Sequence, residues 1–538
     1  MAGKVLVIGL DGADWRILQP YFDQGLMPNL VDLMATGVSG DLRSTVPTNS
    51  SVAWNTFMTG RNPGKHGVFD FTQRAPNDPT RMVGVNSRSR RSETFFDTLA
   101  KYDRQVGAVN VPITYPPFPV NGFMISGMIV QEGRPYTFPE RLATELDECV
   151  GGFPVNRIRW RFMLGQLEEL LDEAVIVTQQ RARVLEYLID RKEWDVLVHV
   201  FVTPDRLQHP LMHLIDPGHP CHDPALAQRL GPKLRAAFQT LDAVLGRARA
   251  QIGDTGTLIV ISDHGFRSVH KAIHVREILA RNGLLKATQN GHMSVRQTAR
   301  NLLRWLPQPV KQALVGKLPV SQRRLGSPEE MANLAWRETQ AYVTTLTSQA
   351  VYINLVGREP HGTVAAGAAY ERLLDDIQEL LLAQRDPATG QPIIEAVLRA
   401  NEVYHGPEAA QGPDLLLLPA EGYAFAKGAK GHLQTYQWFM GDHALDGIFV
   451  AAGPGLKRGA TIDNAALIDL APTVLYLAGV SIPSDMDGHV LNLFADQRLT
   501  MTPPIYDQAA STYQSHGYNY TPEEEQDVAE QLRGLGYL

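Results

Sequence analysis

The fold is decided by the segment Val5-Leu6-Val7-Ile8-Gly9-Leu10-Asp11-Gly12, in which a short apolar run ends at an aspartate and a glycine. Two further apolar, β-branched runs occur at 196–202 and 258–262. Each has the length and composition of a buried strand. Helical patterns lie between the runs, such as the one over 163–188. Strands that alternate with helices predict an α/β fold, with a central, mostly parallel sheet sandwiched between helices.

Acidic and histidine residues follow each of the three runs. Taken singly, such residues are more often helix caps or turn residues than metal ligands. The carboxyl ends of parallel strands meet at one edge of a sheet, so the set is more informative than any member. Carboxylate and imidazole ligands together favour zinc or manganese over calcium, and six of them can hold two divalent ions. The candidate ligands are Asp11, Asp205, His209, Asp263, His264 and, in a Gly-Asp-His segment, His443.

Ser50 is the candidate nucleophile. It lies in the segment 47–54, just before a predicted helix over 51–58 that Gly60 would end. Free backbone N–H groups and the positive end of the helix dipole suit a phosphoryl oxygen at this place. Metal coordination would lower the pKa of the hydroxyl and make it a competent nucleophile. Without metals, the simpler interpretation is that Ser50 or Asn49 caps the helix.

Composition narrows the class of protein. The chain has 538 residues, 44% of them hydrophobic, and its 50 Lys and Arg against 57 Asp and Glu give a net charge of −7. Cys149 and Cys221 are too few for a disulfide scaffold or a thiolate zinc cluster. No targeting segment and no run long enough to span a membrane is visible, which predicts a cytoplasmic protein. A dinucleotide-binding motif is not met, because Asp11 occupies its second glycine position.

The stretch 286–324 carries eight Lys and Arg and no Asp or Glu. We predict a first core part over 1–270, a basic, helical, lid-like insertion over 271–337, a second core part over 338–495, and a tail with a short helix over 496–538. Three interpretations of the basic stretch stay open. It is a solvated helical face, a lid that attracts an anionic substrate, or a peripheral contact with an anionic membrane.

The order and spacing of six short motifs resemble the type I phosphodiesterase and nucleotide pyrophosphatase family of the alkaline phosphatase superfamily. The resemblance covers most of 5–265 and 342–493 and leaves out the basic stretch and the tail. It implies an alkaline-phosphatase-like fold. The motifs are Gly9–Gly12, Pro47–Trp54, Met58–Gly67, Pro204–His209, Ser262–Gly265 and Gly441–His443.

The same resemblance implies a two-metal site and a covalent phosphoryl-enzyme intermediate. One ion, zinc or alternatively manganese, would be bound by Asp205, His209 and His443. The second would be bound by Asp11, Asp263, His264 and the hydroxyl of the nucleophile Ser50. Neighbouring Thr48 and Ser51 are weaker candidates for the nucleophile.

The sequence departs from the family at Phe71, where an asparagine usually helps to hold a phosphoryl oxygen. The donor here would be a backbone N–H, Lys65, or a residue of the insertion. Asp70 is adjacent, but its negative charge would repel phosphate unless it were protonated or bound to metal. This departure leaves nucleotide specificity open.

These features predict a metal-dependent phosphohydrolase of phosphodiesterase or pyrophosphatase type, acting on a small anionic phosphoester rather than on a nucleic-acid polymer. A phosphomonoesterase or phosphomutase is the alternative within the superfamily. Sulfatase activity is disfavoured, because the segment after Ser50 lacks the Pro and Arg of the sulfatase motif. The alternative from another class is a metal-stabilised adaptor without catalysis, which the intact set of ligands argues against.

Overall fold

The computed structural model describes residues 3–75, 78–131, 133–156, 158, 164–288, 334–344, 349–426, 431–435, 440–496 and 506–507, and also 524, 528 and 531. Most of the basic stretch and the predicted tail helix lie outside these residues. In the described part, no helix is both long and apolar enough to cross a membrane.

A ten-stranded sheet forms the centre of the molecule, with nine strands in the order β19-β2-β18-β9-β1-β8-β5-β6-β7 and β20 paired to β2. Its strands are β1 (Val5–Leu10), β2 (Val38–Arg43), β5 (Val106–Pro112), β6 (Gly122–Gly127), β7 (Thr137–Phe138), β8 (Val196–Phe201), β9 (Thr257–Ile261), β18 (Asp446–Ala452), β19 (Ala460–Thr461) and β20 (Ala465–Ala466). The five middle strands β9, β1, β8, β5 and β6 are parallel. The three predicted strands are thus β1, β8 and β9, and they are neighbours.

Helices cover both faces of this sheet. The helices of the described part are α1 (Trp15–Asp23), α2 (Pro28–Thr36), α3 (Ser50–Thr59), α4 (Pro63–His66), α5 (Phe95–Lys101), α6 (Leu142–Val150), α7 (Leu164–Arg191), α8 (Thr203–Ile215), α9 (Pro224–Ile252), α10 (Val275–Arg281), α11 (Ala368–Leu382), α12 (Ala400–Val403) and α13 (Leu470–Leu477), of which α10, α11 and α12 belong to a separate core described below. Alternate residues of a strand point to opposite faces. In β1, Leu6 and Ile8 therefore join the core under α7 and α9, whereas Val5 and Val7 join the core under α3 and α13. The predicted α/β sandwich is confirmed.

Smaller sheets lie beside the main one. Their strands are β3 (Thr72–Ala75), β4 (Asp78–Gly84), β10 (Gly265–Ile273), β11 (Ala341–Tyr342), β12 (Ala350–Ile353), β13 (Ile394–Arg399), β14 (Leu415–Pro419), β15 (Gly422–Phe425), β16 (Leu433–Thr435), β17 (Gly441–Ala444), β21 (Ile482–Pro483) and β22 (Tyr506–Asp507). A third core joins α10 and α11 to the sheet β11-β12-β14-β13. β10 extends through Ile273 and pairs with β15, β16 and β17. The division into core and insertion stays a prediction, since 289–333 lies outside the described residues.

Candidate metal centre and nucleophile

Neighbouring strands bring the candidate ligands to one edge of the sheet. Asp11 follows β1, Asp263 follows β9, and α8 begins two residues after β8. Asp205 lies in the first turn of α8, and His209 lies one helical turn later on the same face. His443 is distant from the other ligands in sequence. It lies beside them because β17 pairs antiparallel with β10 and places His443 opposite Phe266.

The first ligand group consists of Asp205, His209 and His443. Their ligand atoms lie within 4.8 Å of one another. Asp205 Oδ1 is 3.1 Å from His209 Nε2 and 3.3 Å from His443 Nε2. The two imidazole nitrogens are themselves 3.1 Å apart. All three side chains are buried.

The second ligand group consists of Asp11, Asp263 and His264, whose ligand atoms also lie within 4.8 Å of one another. His264 Nε2 is 3.3 Å from Asp263 Oδ2 and 3.8 Å from Asp11 Oδ1. Ser50 Oγ lies 3.2 Å from the same His264 nitrogen. The imidazoles of His264 and His443 stack with their centroids 3.6 Å apart, so the two groups are adjacent.

Backbone carbonyls orient all three imidazoles in the same way. The Nδ1 atoms of His209, His443 and His264 lie 2.9, 2.7 and 3.0 Å from the carbonyl oxygens of Gly441, Thr48 and Gly265, respectively. A carbonyl only accepts, so each Nδ1 donates its proton to the carbonyl and each Nε2 is the ring nitrogen that faces the ligand group. This second layer of hydrogen bonds is the usual means of holding a metal-binding imidazole.

Two carboxylates are held in a similar manner, through one oxygen each. Trp54 Nε1 donates to Asp11 Oδ2 at 3.0 Å, and the Gly12 N–H donates to Asp263 Oδ1 at 3.2 Å. A Cβ at Gly9 would lie 2.6 Å from the Trp54 ring, so a glycine is needed there for the indole to reach Asp11. The remaining oxygens, Asp11 Oδ1 and Asp263 Oδ2, are buried and accept no hydrogen bond.

The electrostatics of the two groups also favour cations. Burial, and then the nearby Asp263 and Asp205, raise the pKa of Asp11 well above its usual value. Burial likewise raises the pKa of Asp263 to about 7. Burial would also raise the pKa of Asp205, but His209 and His443 hold it well below its usual value. Three buried carboxylates and three imidazoles form a donor set that suits divalent ions such as zinc.

Ser50 differs from the two neighbouring hydroxyls. It is the first residue of α3, whose N-cap is Asn49 and whose end is the left-handed Gly60. Ser51 Oγ donates to Asn49 Oδ1 at 2.7 Å and thus belongs to the helix cap. Thr48 contributes its carbonyl oxygen to His443. Of the three, Ser50 brings its hydroxyl to the second ligand group.

Lys65 and Asp70 are engaged elsewhere. Lys65 pairs with Asp487 and donates to the carbonyl oxygen of Asp485 at 2.8 Å. Asp70 is buried, and its Oδ1 accepts the N–H of Phe71 at 2.5 Å. Neither of these contacts reaches a member of the two ligand groups. Phosphate binding by either residue stays a prediction.

Sequence reasoning missed several residues that support the site. The indole of Trp54 holds Asp11, and the carbonyls of Thr48 and Gly441 hold His443 and His209, respectively. Arg206 lies with its Nε 3.7 Å from Asp205 Oδ2, and its charge lowers the pKa values of Asp205 and Asp11. All four residues lie within the motifs Pro47–Trp54, Pro204–His209 and Gly441–His443. The spacing of the motifs does not reveal which atoms these residues contribute.

An α/β sheet that gathers two carboxylate–imidazole groups and a hydroxyl at one edge defines the class of metal-dependent hydrolases. Residues 5–446 match the model of the family described as type I phosphodiesterase / nucleotide pyrophosphatase. The chain belongs to this family and is a hydrolase of phosphoric ester or phosphoanhydride bonds. The resemblance read from the motifs is therefore confirmed.

Solved structures are similar to the chain at low sequence identity. Phosphonoacetate hydrolase from Sinorhizobium meliloti 1021, in complex with phosphonoacetate, is 13% identical, with a TM-score of 0.51 over 89% of this chain and 96% of that chain. Human ectonucleotide pyrophosphatase / phosphodiesterase 5 is 14% identical, with a TM-score of 0.47 over 91% of this chain and 100% of that chain. The first likeness supports the alkaline-phosphatase-like fold. No curated protein sequence matches the chain.

Proposed function

We propose that the protein is a phosphodiesterase or pyrophosphatase that uses Ser50 as its nucleophile and two divalent cations, zinc or alternatively manganese, as cofactors. The observation that carries the proposal is the position of Ser50 Oγ, 3.2 Å from His264 Nε2 and beside two ligand groups whose rings stack. Asp205, His209 and His443 would hold one cation, and Asp11, Asp263 and His264 the other. When bound, the cations supply charge neutralisation and lower the pKa of a coordinated hydroxyl.

Ser50 Oγ attacks phosphorus in line with the leaving oxygen. An Oγ–P bond forms as the bond from phosphorus to the leaving oxygen breaks, the Ser50 hydroxyl gives up its proton, and the leaving oxygen takes up a proton. Water then attacks phosphorus as the Oγ–P bond breaks, and a proton lost by that water restores the hydroxyl of Ser50. The reaction is thus a hydrolysis in two displacements, which is the advantage of a covalent nucleophile.

The first turn of α3 supports the binding of the transferred phosphoryl group. Asn49 accepts the N–H of Val52 at 3.0 Å through Oδ1, and the N–H of Ala53 at 3.0 Å through its carbonyl. The preceding N–H groups of Ser50 and Ser51 have no helical carbonyl partner. At the positive end of the helix, these two N–H groups are donors for phosphoryl oxygens. They would take the place of the family's asparagine, whose position is occupied here by Phe71.

The substrate is a small anionic phosphoester, and we propose a cytoplasmic location. We also propose that the basic stretch 286–324 draws such substrates to the site. Replacing Arg296, Arg300 and Arg304 with Gln should then raise KM at low salt and leave kcat unchanged, because charge steering weakens as salt increases. Lost binding to anionic vesicles with an unchanged KM would instead identify a membrane contact. If neither assay changes, the remaining interpretation is that the basic stretch is a solvated helical face.

The decisive experiment compares wild type with Ser50→Ala on a chromogenic phosphodiester, a phosphomonoester and a sulfate ester, after metal removal and reloading with zinc or manganese. We expect metal-dependent diester hydrolysis that falls at least about 10³-fold in Ser50→Ala, since that variant lacks the nucleophile. Ser51→Ala is the matched control and should keep most of the activity. Equal activity in Ser50→Ala and wild type would overturn the proposal, and preferential monoester hydrolysis would favour a phosphomonoesterase.

A further inference from the structure

A second buried polar cluster lies on the α7 side of the sheet. We call it the inner basic cluster and define it as Arg181 on α7, His199 on β8 and Arg206 on α8. These three residues are 2%, 0% and 3% exposed to solvent, respectively. Phe153 joins two of them, since Arg181 Cζ lies 5.4 Å from its ring centroid and the His199 centroid lies 6.4 Å from it. The cluster is therefore enclosed by three elements of the main core.

Most nitrogens of Arg181 and His199 have no partner. Arg181 Nη2 donates to the carbonyl oxygen of Pro154 at 3.2 Å. Its Nε and Nη1 atoms are buried without a hydrogen bond, as are both ring nitrogens of His199. The His199 ring stacks on the Phe201 ring, with the two ring centroids 4.4 Å apart. Buried donors of this number normally bind a ligand or ordered water.

Within the cluster, Arg181 carries a charge that has no acidic partner in the described part of the chain. A guanidinium stays charged in proteins, and a buried charge is costly unless it is paired. Among the described residues, no acidic side chain bonds to Arg181, and the sequence between Glu148 and Glu168 has no Asp or Glu. Arg206 adds positive charge close to Arg181. Burial and the charge of Arg206 lower the pKa of Arg181 to about 9.

His199 is a neutral donor in this setting. Burial, and then the charge of Arg181, hold the pKa of His199 well below its usual value. One ring nitrogen of the neutral imidazole therefore carries a proton and can donate it in a hydrogen bond, and the other ring nitrogen is unprotonated. A neutral imidazole beside one unpaired guanidinium is a donor set for a single negative charge.

We propose that the inner basic cluster binds one small monovalent inorganic anion, such as chloride, through Arg181 Nε and Nη1 and the N–H of His199. Water would satisfy the donors but would leave the guanidinium charge uncompensated. A bound anion would connect α7, β8 and α8, and α8 carries Asp205 and His209. The inference does not depend on the proposed catalytic function.

Crystals of the wild-type protein grown or soaked in sodium bromide test the proposal directly. Bromide replaces chloride and scatters anomalously, so we expect a peak within hydrogen-bonding distance of Arg181 Nη1 and His199. Density at that place without an anomalous peak would identify a water and overturn the proposal, as would the absence of any density between Arg181 and His199.

Thermal unfolding gives an independent test in solution. At constant ionic strength, replacing a large organic anion with chloride or bromide should raise the Tm of wild type in a saturable way, by about 2 °C or more at saturation. Arg181→Met should lose this response, whereas Arg183→Met, an exposed neighbour on the same helix, should keep it. An equal response in wild type and Arg181→Met would overturn the proposal. If Arg181→Met does not fold, the bromide crystals decide.

Discussion

The two buried polar regions that meet at α8 are opposite in sign. At the metal centre the unpartnered atoms are acceptors, among them Asp11 Oδ1 and Asp263 Oδ2. In the inner basic cluster the unpartnered atoms are mainly donors, on Arg181 and His199. Adjacent residues mark the boundary, because Asp205 belongs to the first region and Arg206 to the second. Unpartnered acceptors suit a cation and unpartnered donors suit an anion, so the two regions call for ligands of opposite charge under the two proposals.

The largest effect is expected at the acidic region. Asp263→Asn removes the charge of the carboxyl that lies 3.3 Å from His264 Nε2. We expect it to lower diester hydrolysis at least about 10³-fold and to remove one of two bound metal equivalents, measured by elemental analysis. Asp254→Asn, on the exposed turn before β9, is the control. Two retained equivalents with full activity in Asp263→Asn would break the assignment of the second ligand group.

A smaller effect is expected from the second layer. Trp54→Phe removes the indole N–H that fixes Asp11 Oδ2 but keeps the aromatic packing. Loss of such a donor typically weakens metal binding about 10-fold to 100-fold. The dissociation constant, measured by competition with a chelator, should rise accordingly, while activity at saturating metal stays near that of wild type. Trp194→Phe removes a buried N–H that donates to a backbone carbonyl, and it should leave the metal affinity unchanged.

The smallest effect separates the two regions by their response to pH. Burial raises the pKa of Asp263 from 3.8 in the unfolded chain to about 7 in the folded one. A raised carboxyl pKa destabilises the metal-free fold progressively as the pH rises from about 4 to about 7, and a bound cation relieves this penalty. The metal-induced gain in Tm should therefore be larger near pH 8 than near pH 5.5.

The anion-induced gain should change little over the same range, because Arg181 stays charged throughout. Unfolding followed by near-UV circular dichroism at both pH values measures the two gains. A metal-induced gain that does not vary with pH would contradict the role given to the buried carboxyl.

Much of the fold follows from local patterns. The apolar run 5–10 and its counterparts at 196 and 258 correspond to β1, β8 and β9, and the helix predicted over 51–58 is α3. Period and turn residues encode such elements directly. The candidate ligands at the three strand ends follow from the same pattern, because parallel neighbouring strands place their carboxyl ends together. His443 was a candidate ligand from its Gly-Asp-His segment, but nothing local in the sequence indicates that β17 pairs with β10.

The supporting contacts could not be read from the sequence. Whether Trp54 donates to Asp11 depends on the packing of α3 against β1, and the acceptors of the imidazoles are backbone atoms common to every residue. The inner basic cluster is a stronger case. Arg181 lies at core spacing on α7, between the buried Val177 and Val184, but the sequence does not reveal what its guanidinium meets there, and His199 interrupts an apolar strand without any motif. Only the packing of α7 on β8 brings them together.

Zinc-edge anomalous diffraction from crystals of the metal-loaded protein tests the central claim most directly. The account predicts two peaks. One should be bound by Asp205, His209 and His443, and the other by Asp11, Asp263 and His264 beside Ser50 Oγ. A single peak, or two peaks of which neither contacts Ser50 Oγ, would contradict a two-cation site built around this nucleophile.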